Sequence, residues 1–215
     1  MSKGIVLSLF DYTGNMVKPW AKNGYECYCV DLKHKGEEYT EDDDVAGEIN
    51  YVGADIEDYI PPRREYRIAF AFPPCDNLAV SGARWFQEKG IKGLSNGVEN
   101  FLRAKEICEW SDAPYMIENP VSVISSYWRE PDFTFHPYEY DGYTNEDNKY
   151  QKRTCLWVGN GFVFPDKQPS EEHDQRIHQS FPSDDEERKE FRSKTPQGFA
   201  NAVYEINEGT GVFDY

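Results

Sequence analysis

Apolar residues in this chain fall into short runs separated by turn residues and by stretches with helical spacing. Residues 5–10 predict a first strand. The polar turn Asp11-Tyr12-Thr13-Gly14-Asn15 follows, then a helix from about Met16 to Lys22 that Asn23-Gly24 ends, as glycine does at a C-cap. Residues 25–30 predict a second strand ending in Asp31. Residues 37–48 read as an exposed acidic excursion, and Val52 to Ile56 return to the sheet with Asp55 at a strand end. Ile68 to Phe72 predict a buried strand, stopped by Pro73-Pro74, which cannot donate to a sheet ladder. Gly97 to Trp110 has helical spacing, with Val98, Phe101, Leu102, Ala104, Lys105 and Ile107 or Cys108 marking the buried stripe. Tyr115 to Ile117 predict a strand running into Glu118-Asn119-Pro120. Apolar periodicity is lost across 126–192, apart from strand character in residues 150–158. Thr195 to Ile206 predict a last helix with Pro196 in its first turn.

Strands alternating with helices predict an α/β fold: a mostly parallel sheet with helices on both faces, plus a small irregular region. The division expected is one α/β domain from residues 1–125 and 193–215, with the strand at 150–158. Residues 126–149 and 159–192 form a small variable region. The 215 residues and 39% hydrophobic content suffice for one sizeable core. No apolar run reaches membrane-spanning length, and the start lacks the features of a secretory leader, so a cytoplasmic protein is expected.

Charge changes the picture more. The net charge is -16, which is awkward for a nucleic-acid partner, because phosphate contacts need Lys and Arg. The acid is clustered, at Glu37 to Glu48 and at Asp184 to Glu190. Such runs are solvated faces or suit a high-salt cytoplasm. Basic residues gather at Arg63-Arg64, at Lys149, Lys152 and Arg153, and from Arg188 to Lys194. The five cysteines make no zinc set. Cys27 and Cys29 share one face of a strand, and reduced structural thiols are expected for all but Cys75.

Chemistry collects at strand ends: Gly14 in the first turn, Asp31, Asp55, Cys75 and Glu118. In an open α/β sheet these converge on the carboxyl edge, where ligands bind. A turn glycine with an acid after the second strand suits a nucleoside, although G-x-G-x-x-G is absent. A thiol beside a carboxyl group suits covalent chemistry on a heteroaromatic ring, the thiolate adding to it and the carboxyl handling a ring proton.

The order of these motifs resembles the DNA (cytosine-5)-methyltransferases, most of all the compact versions of bacteriophage and viral genomes. Phe72-Pro73-Pro74-Cys75 is similar to the family's nucleophile motif. Ala79 to Arg84 resembles the loop that closes over the target base, Glu118-Asn119-Pro120 the E-N-V/P motif and Gln151-Lys152-Arg153 the Q-x-R-x-R motif. Phe199 to Val203 resembles the closing G-N-S/A-V motif, and Phe10 to Gly14 the first cofactor motif. Three departures stand out. Tyr12 replaces a glycine of the first motif, Asp76 follows the cysteine, and only about 35 residues between 158 and 193 stand where a large target-recognition domain is expected.

The resemblance implies a Rossmann-like S-adenosylmethionine-dependent fold and methyl transfer to C5 of a cytosine flipped out of DNA. Cys75 would attack C6, Glu118 would hold N3 and the exocyclic amine, and Arg153 would contact the base carbonyl and balance Glu118. Phe10, Asp11, Gly14, Asn15, Asp31, Leu32, Asp55, Ile56, Pro73 and Asn201 would hold the cofactor. Phe72, Pro74, Ser81, Arg84 and Asn119 would meet the substrate. Amino-methyltransferases of DNA use a Pro-Pro motif followed by an aromatic residue, so Phe-Pro-Pro-Cys argues against that class. Transfer to RNA, a different transferred group, a non-catalytic DNA mimic and a protein partner supplying basic surface all stay open.

Overall fold

The computed structural model describes residues 2–34, 46–174 and 192–208, with the backbone alone for 38–40. Most of the two acidic clusters, and Arg188 to Phe191, lie outside the described residues. Among the described residues eight strands form one sheet: β1 (Ile5–Leu9), β2 (Glu26–Val30), β3 (Glu38–Thr40), β4 (Glu48–Val52), β5 (Tyr66–Ala71), β6 (Tyr115–Pro120), β7 (Phe133–Phe135) and β8 (Thr154–Gly159). Their spatial order is β3-β4-β2-β1-β5-β6-β8-β7. The five central strands run parallel, while β3 and β8 are antiparallel to their neighbours. The α-helices among the described residues are α1 (Lys18–Lys22), α2 (Phe86–Trp110), α3 (Ile124–Tyr127) and α4 (Gln197–Asn207). This is the doubly wound, Rossmann-like α/β sheet expected.

Both faces of the sheet are covered, so the central strands read as continuous apolar runs. On one face α1 and α4 pack over Val6, Cys27, Cys29, Phe70 and Leu156. On the other, α2 packs over Leu7, Leu9, Ala69, Ile117 and Trp157. Trp20 of α1 anchors the first layer. Its ring meets Tyr25 and Tyr204 edge-on at 5.1 Å each and leans on Phe70. Cys27 and Cys29 share this buried face, as their alternation predicts.

The structure departs from expectation where sequence pattern is weakest. Glu38–Thr40, read as part of an exposed excursion, adds an antiparallel edge strand to β4. Phe133–Phe135, inside the stretch without periodicity, pairs with β8, and Tyr140 beyond it is fully buried against Phe135 and Phe199. Helix α2 starts eleven residues early and breaks at Gly90, whose φ of 61° only glycine takes up readily. Leu102, expected in the buried stripe, is 47% exposed, while Gly97, Phe101, Ala104, Ile107 and Cys108 carry the packing. Among the described residues no helix is long and apolar enough to cross a membrane.

The direction of winding reverses between β1 and β5, which opens a crevice at their carboxyl ends. Everything described below sits on that edge. The layer under α1 is testable. Trp20→Ala should lower stability by about 3–5 kcal/mol in a denaturant titration. Trp20→Phe should cost less than half as much, because the indole N–H it removes is buried without a partner.

Candidate active site

Strand β5 ends at Ala71, and Phe72 still donates its N–H to Leu9 O at 3.0 Å. Pro73 and Pro74 then force the chain off the sheet. Cys75 follows on a tight turn, its carbonyl accepting from the N–H groups of Leu78 (2.9 Å) and Ala79 (2.8 Å). The turn is clamped to the end of β6. Asn119, fully buried, donates its side-chain N–H to Pro73 O at 2.9 Å. Backbone bonds from Val80 to Val121 O and from Val123 to Leu78 O complete the clamp.

Glu118, on β6 beside this turn, is half-buried as a residue, but its Oε1 is buried and makes no hydrogen bond. The Lys152 ammonium lies 4.0 Å from that oxygen, an ion-pair distance but too long for a hydrogen bond. Burial raises the Glu118 carboxyl above its ordinary range, and Lys152 pulls it back in part. Cys75 is half-buried. Its thiol is pushed up to about 11, first by burial and then by the charges of Glu118 and Asp76, with Lys152 opposing. Thiol and carboxyl therefore sense each other directly, and burial favours the uncharged form of both. Phe72, Glu118, Phe135, Lys152, Thr195 and Phe199 line a narrow cavity here.

The first turn is built on Asp11. This carboxylate is buried and accepts from Ser8 Oγ (2.7 Å), the Gly14 N–H (2.8 Å) and Thr13 Oγ1 (3.3 Å). Burial raises its pKa against those three bonds. Phe10 (φ 56°) and Gly14 (φ 65°) take left-handed conformations. A Cβ on Gly14 would stand 2.7 Å from the Tyr51 hydroxyl, so only glycine fits. Asp31 ends β2 half-buried and spends one oxygen on the Lys33 N–H at 2.8 Å. Leu32 beside it is 69% exposed. Asp55 is exposed and caps its own turn through the Glu57 N–H, and Ile56 is buried.

The sheet thus brings Phe10, Gly14, Asp31, Cys75 and Glu118 to one edge. It does not bring Arg153. Glu118 sits opposite Leu156 across the β6–β8 ladder, so side chains at 156, 154 and 152 share its face and 153 points to the other. Arg153 is exposed, and its charge is felt at His136 and Cys155 instead. Lys152 is the cation beside Glu118, and alternation counted back from β8 would have found it. Four other residues hold the scaffold. Asp11 is committed to its own turn. Asn119 is committed to Pro73. Asn201 donates to Tyr143 O and accepts from Gln197. Asn15 reaches from the first turn to Thr195 O at 3.4 Å. Pro73 is buried, Phe72 half-buried, and Pro74, Ser81 and Arg84 are exposed. Sequence reasoning also missed His34, which stacks on Tyr12 at 5.3 Å and leans on Tyr51 at 4.9 Å, walling the first turn.

No protein-family model and no curated protein matches this sequence. Among solved structures the chain is similar to the glycopeptide N-methyltransferase MtfA. The identity is 13% and the TM-score 0.31, with 74% of this chain covered and 66% of that one. The chain thus spans just under two thirds of that protein, and a likeness so distant carries no argument about activity.

The electrostatics can be read out by alkylation. Only thiolate reacts, so the rate at Cys75 should climb with pH toward about 11. Glu118→Gln removes a negative neighbour, lowers the thiol pKa and should raise the rate at pH 8 roughly threefold to tenfold. Lys152→Met removes the opposing cation and should lower it. Peptide mapping after iodoacetamide treatment measures both.

Proposed function

We propose that this chain transfers a methyl group from S-adenosylmethionine to C5 of cytosine in DNA through a covalent Cys75–C6 intermediate. The observation that supports this most is the pairing of Cys75 with Glu118, whose buried Oε1 has no hydrogen-bond partner. A buried polar atom without a partner costs stability. A ligand presenting an exocyclic amine beside the sulfur, as cytosine does, would supply that partner.

The residues of the first two strand ends fit an adenosine. Phe10 offers a ring, Leu32 an exposed apolar side chain and Asp31 a carboxylate at the place where ribose hydroxyls are taken in such folds. S-adenosylmethionine, when bound, supplies an electrophilic methyl group. The rest falls to this chain. Burial favours the protonated form of Glu118, and that form would pass its proton to N3 as the Cys75 sulfur adds to C6. The thiol proton leaves to water. Lys152 then faces the Glu118 carboxylate so formed and offers its ammonium to the base carbonyl, the role expected of Arg153. After C5 has gained its methyl group it loses its own proton to water. The C6–sulfur bond breaks, and N3 returns its proton to Glu118.

Cys75→Ser should keep cofactor binding and reduce 5-methylcytosine in DNA to background; equal turnover by that variant would sink the covalent route. Glu118→Gln should slow methylation roughly 100- to 10,000-fold. Asp31→Ala should weaken S-adenosylmethionine binding roughly tenfold to a hundredfold by calorimetry. An unchanged affinity would refute the ribose assignment. Cofactor bound without any 5-methylcytosine formed would favour a non-catalytic role.

A further inference from the structure

Residues 80–92 stand apart from the rest of this acidic chain. Their charged residues are Arg84, Lys89 and Lys92 against a single carboxylate, Glu88, whereas the whole chain carries -16. The segment begins as a 3-10 helix, Val80–Trp85, with no buried residue, and continues into the start of α2. It exposes large apolar side chains: Val80 is 51% exposed, Trp85 48% and Ile91 87%. The Arg84 guanidinium lies 5.0 Å from the Trp85 ring centroid. The segment also lies at the mouth of the Cys75 site. Lys89 donates to the carbonyl of Asp76, the residue after the thiol, and Gly97 packs on Leu78.

Exposed aromatic surface interleaved with cations is the composition that holds an unpaired strand, with bases on the rings and phosphates on the ammonium and guanidinium groups. Duplex DNA fits this surface poorly. It carries about one charge per 1.7 Å, twice the density of one strand, and the net charge of the chain repels it accordingly. A paired cytosine must also be flipped at a cost of a few kcal/mol, which an already unpaired base avoids. Three cations beside one site offer little to offset either term.

From this juxtaposition of Trp85, Arg84 and Lys89 with the Cys75 mouth, we infer that the substrate of the site is an unpaired polynucleotide strand, with Trp85 as its stacking platform. The inference rests on the cytosine reading for the chemistry, but not for the binding.

The test uses the full chain and one sequence of about 16 nucleotides, offered as DNA strand, RNA strand and DNA duplex. Binding is followed by fluorescence anisotropy and products by mass spectrometry. A single strand should bind at least about tenfold tighter than the duplex. Trp85→Ala should weaken strand binding roughly tenfold, and Trp85→Phe, which keeps a ring, should restore most of it. Arg84→Ala should reduce the dependence of affinity on salt. The DNA and RNA arms decide which sugar the strand carries. Duplex bound and methylated in preference to either strand overturns the inference and leaves the cytosine reading standing. A strand held through Trp85 without 5-methylcytosine supports the inference and removes the reading. Neither strand bound, or strand affinity indifferent to Trp85→Ala, overturns the inference.

Discussion

The candidate site depends on keeping one carboxyl oxygen dry. The Oε1 of Glu118, at the end of β6, is buried with no hydrogen-bond partner, and among the described residues the cation beside it is Lys152 at 4.0 Å. Such a group is costly in a folded protein and persists only where the surrounding structure outweighs the cost. Here the surroundings are the sheet itself. Glu118 lies on β6 between β5 and β8, in a ladder that Leu156 and Met116 fill with apolar surface. From this constraint come the raised carboxyl and the value of Lys152, and Glu118 adds to the rise that the thiol's own burial imposes on Cys75.

The remaining architecture arranges access to that pair. The reversal of winding at β1 and β5 leaves the edge open, the first turn walls one side through Gly14, Tyr51 and His34, and residues 80–92 form the opposite rim. Trp20, packed edge-on against Tyr204, seats α1 against α4 and so holds the cavity wall at Thr195 and Phe199. The aromatic cluster of Phe135, Tyr140 and Phe199 belongs to this scaffold, and Phe135 and Phe199 also line the cavity beside Glu118.

Much of this was legible in the sequence because its signals are local. Pro73-Pro74 stops a strand wherever it occurs, and Glu118-Asn119-Pro120 follows an apolar run too short to be anything but a strand. The fold class follows from their alternation with helical spacing. What escaped depends on pairing partners. Edge strands of three residues, Glu38–Thr40 and Phe133–Phe135, carry no period. Whether position 152 or 153 faces Glu118 is a matter of one residue of register, which inverts every side chain. The early turns of α2 hid behind Gly90 and Gly93 and an exposed Ile91. Asn119 and Asn201 look like ligand contacts in a string of letters, whereas their amides are taken by main-chain carbonyls.

The bond from Asn119 to Pro73 has a consequence for how the site meets whatever it acts on. It ties the strand bearing the carboxyl to the turn bearing the sulfur, so the two groups belong to one rigid body. Their relative placement is settled during folding and costs nothing further when a ligand arrives. Most of the ordering left to an encounter then lies in the incoming molecule. Loosening that single amide should be felt as lost preorganisation, an entropic penalty on the reacting geometry with no loss of any chemical group.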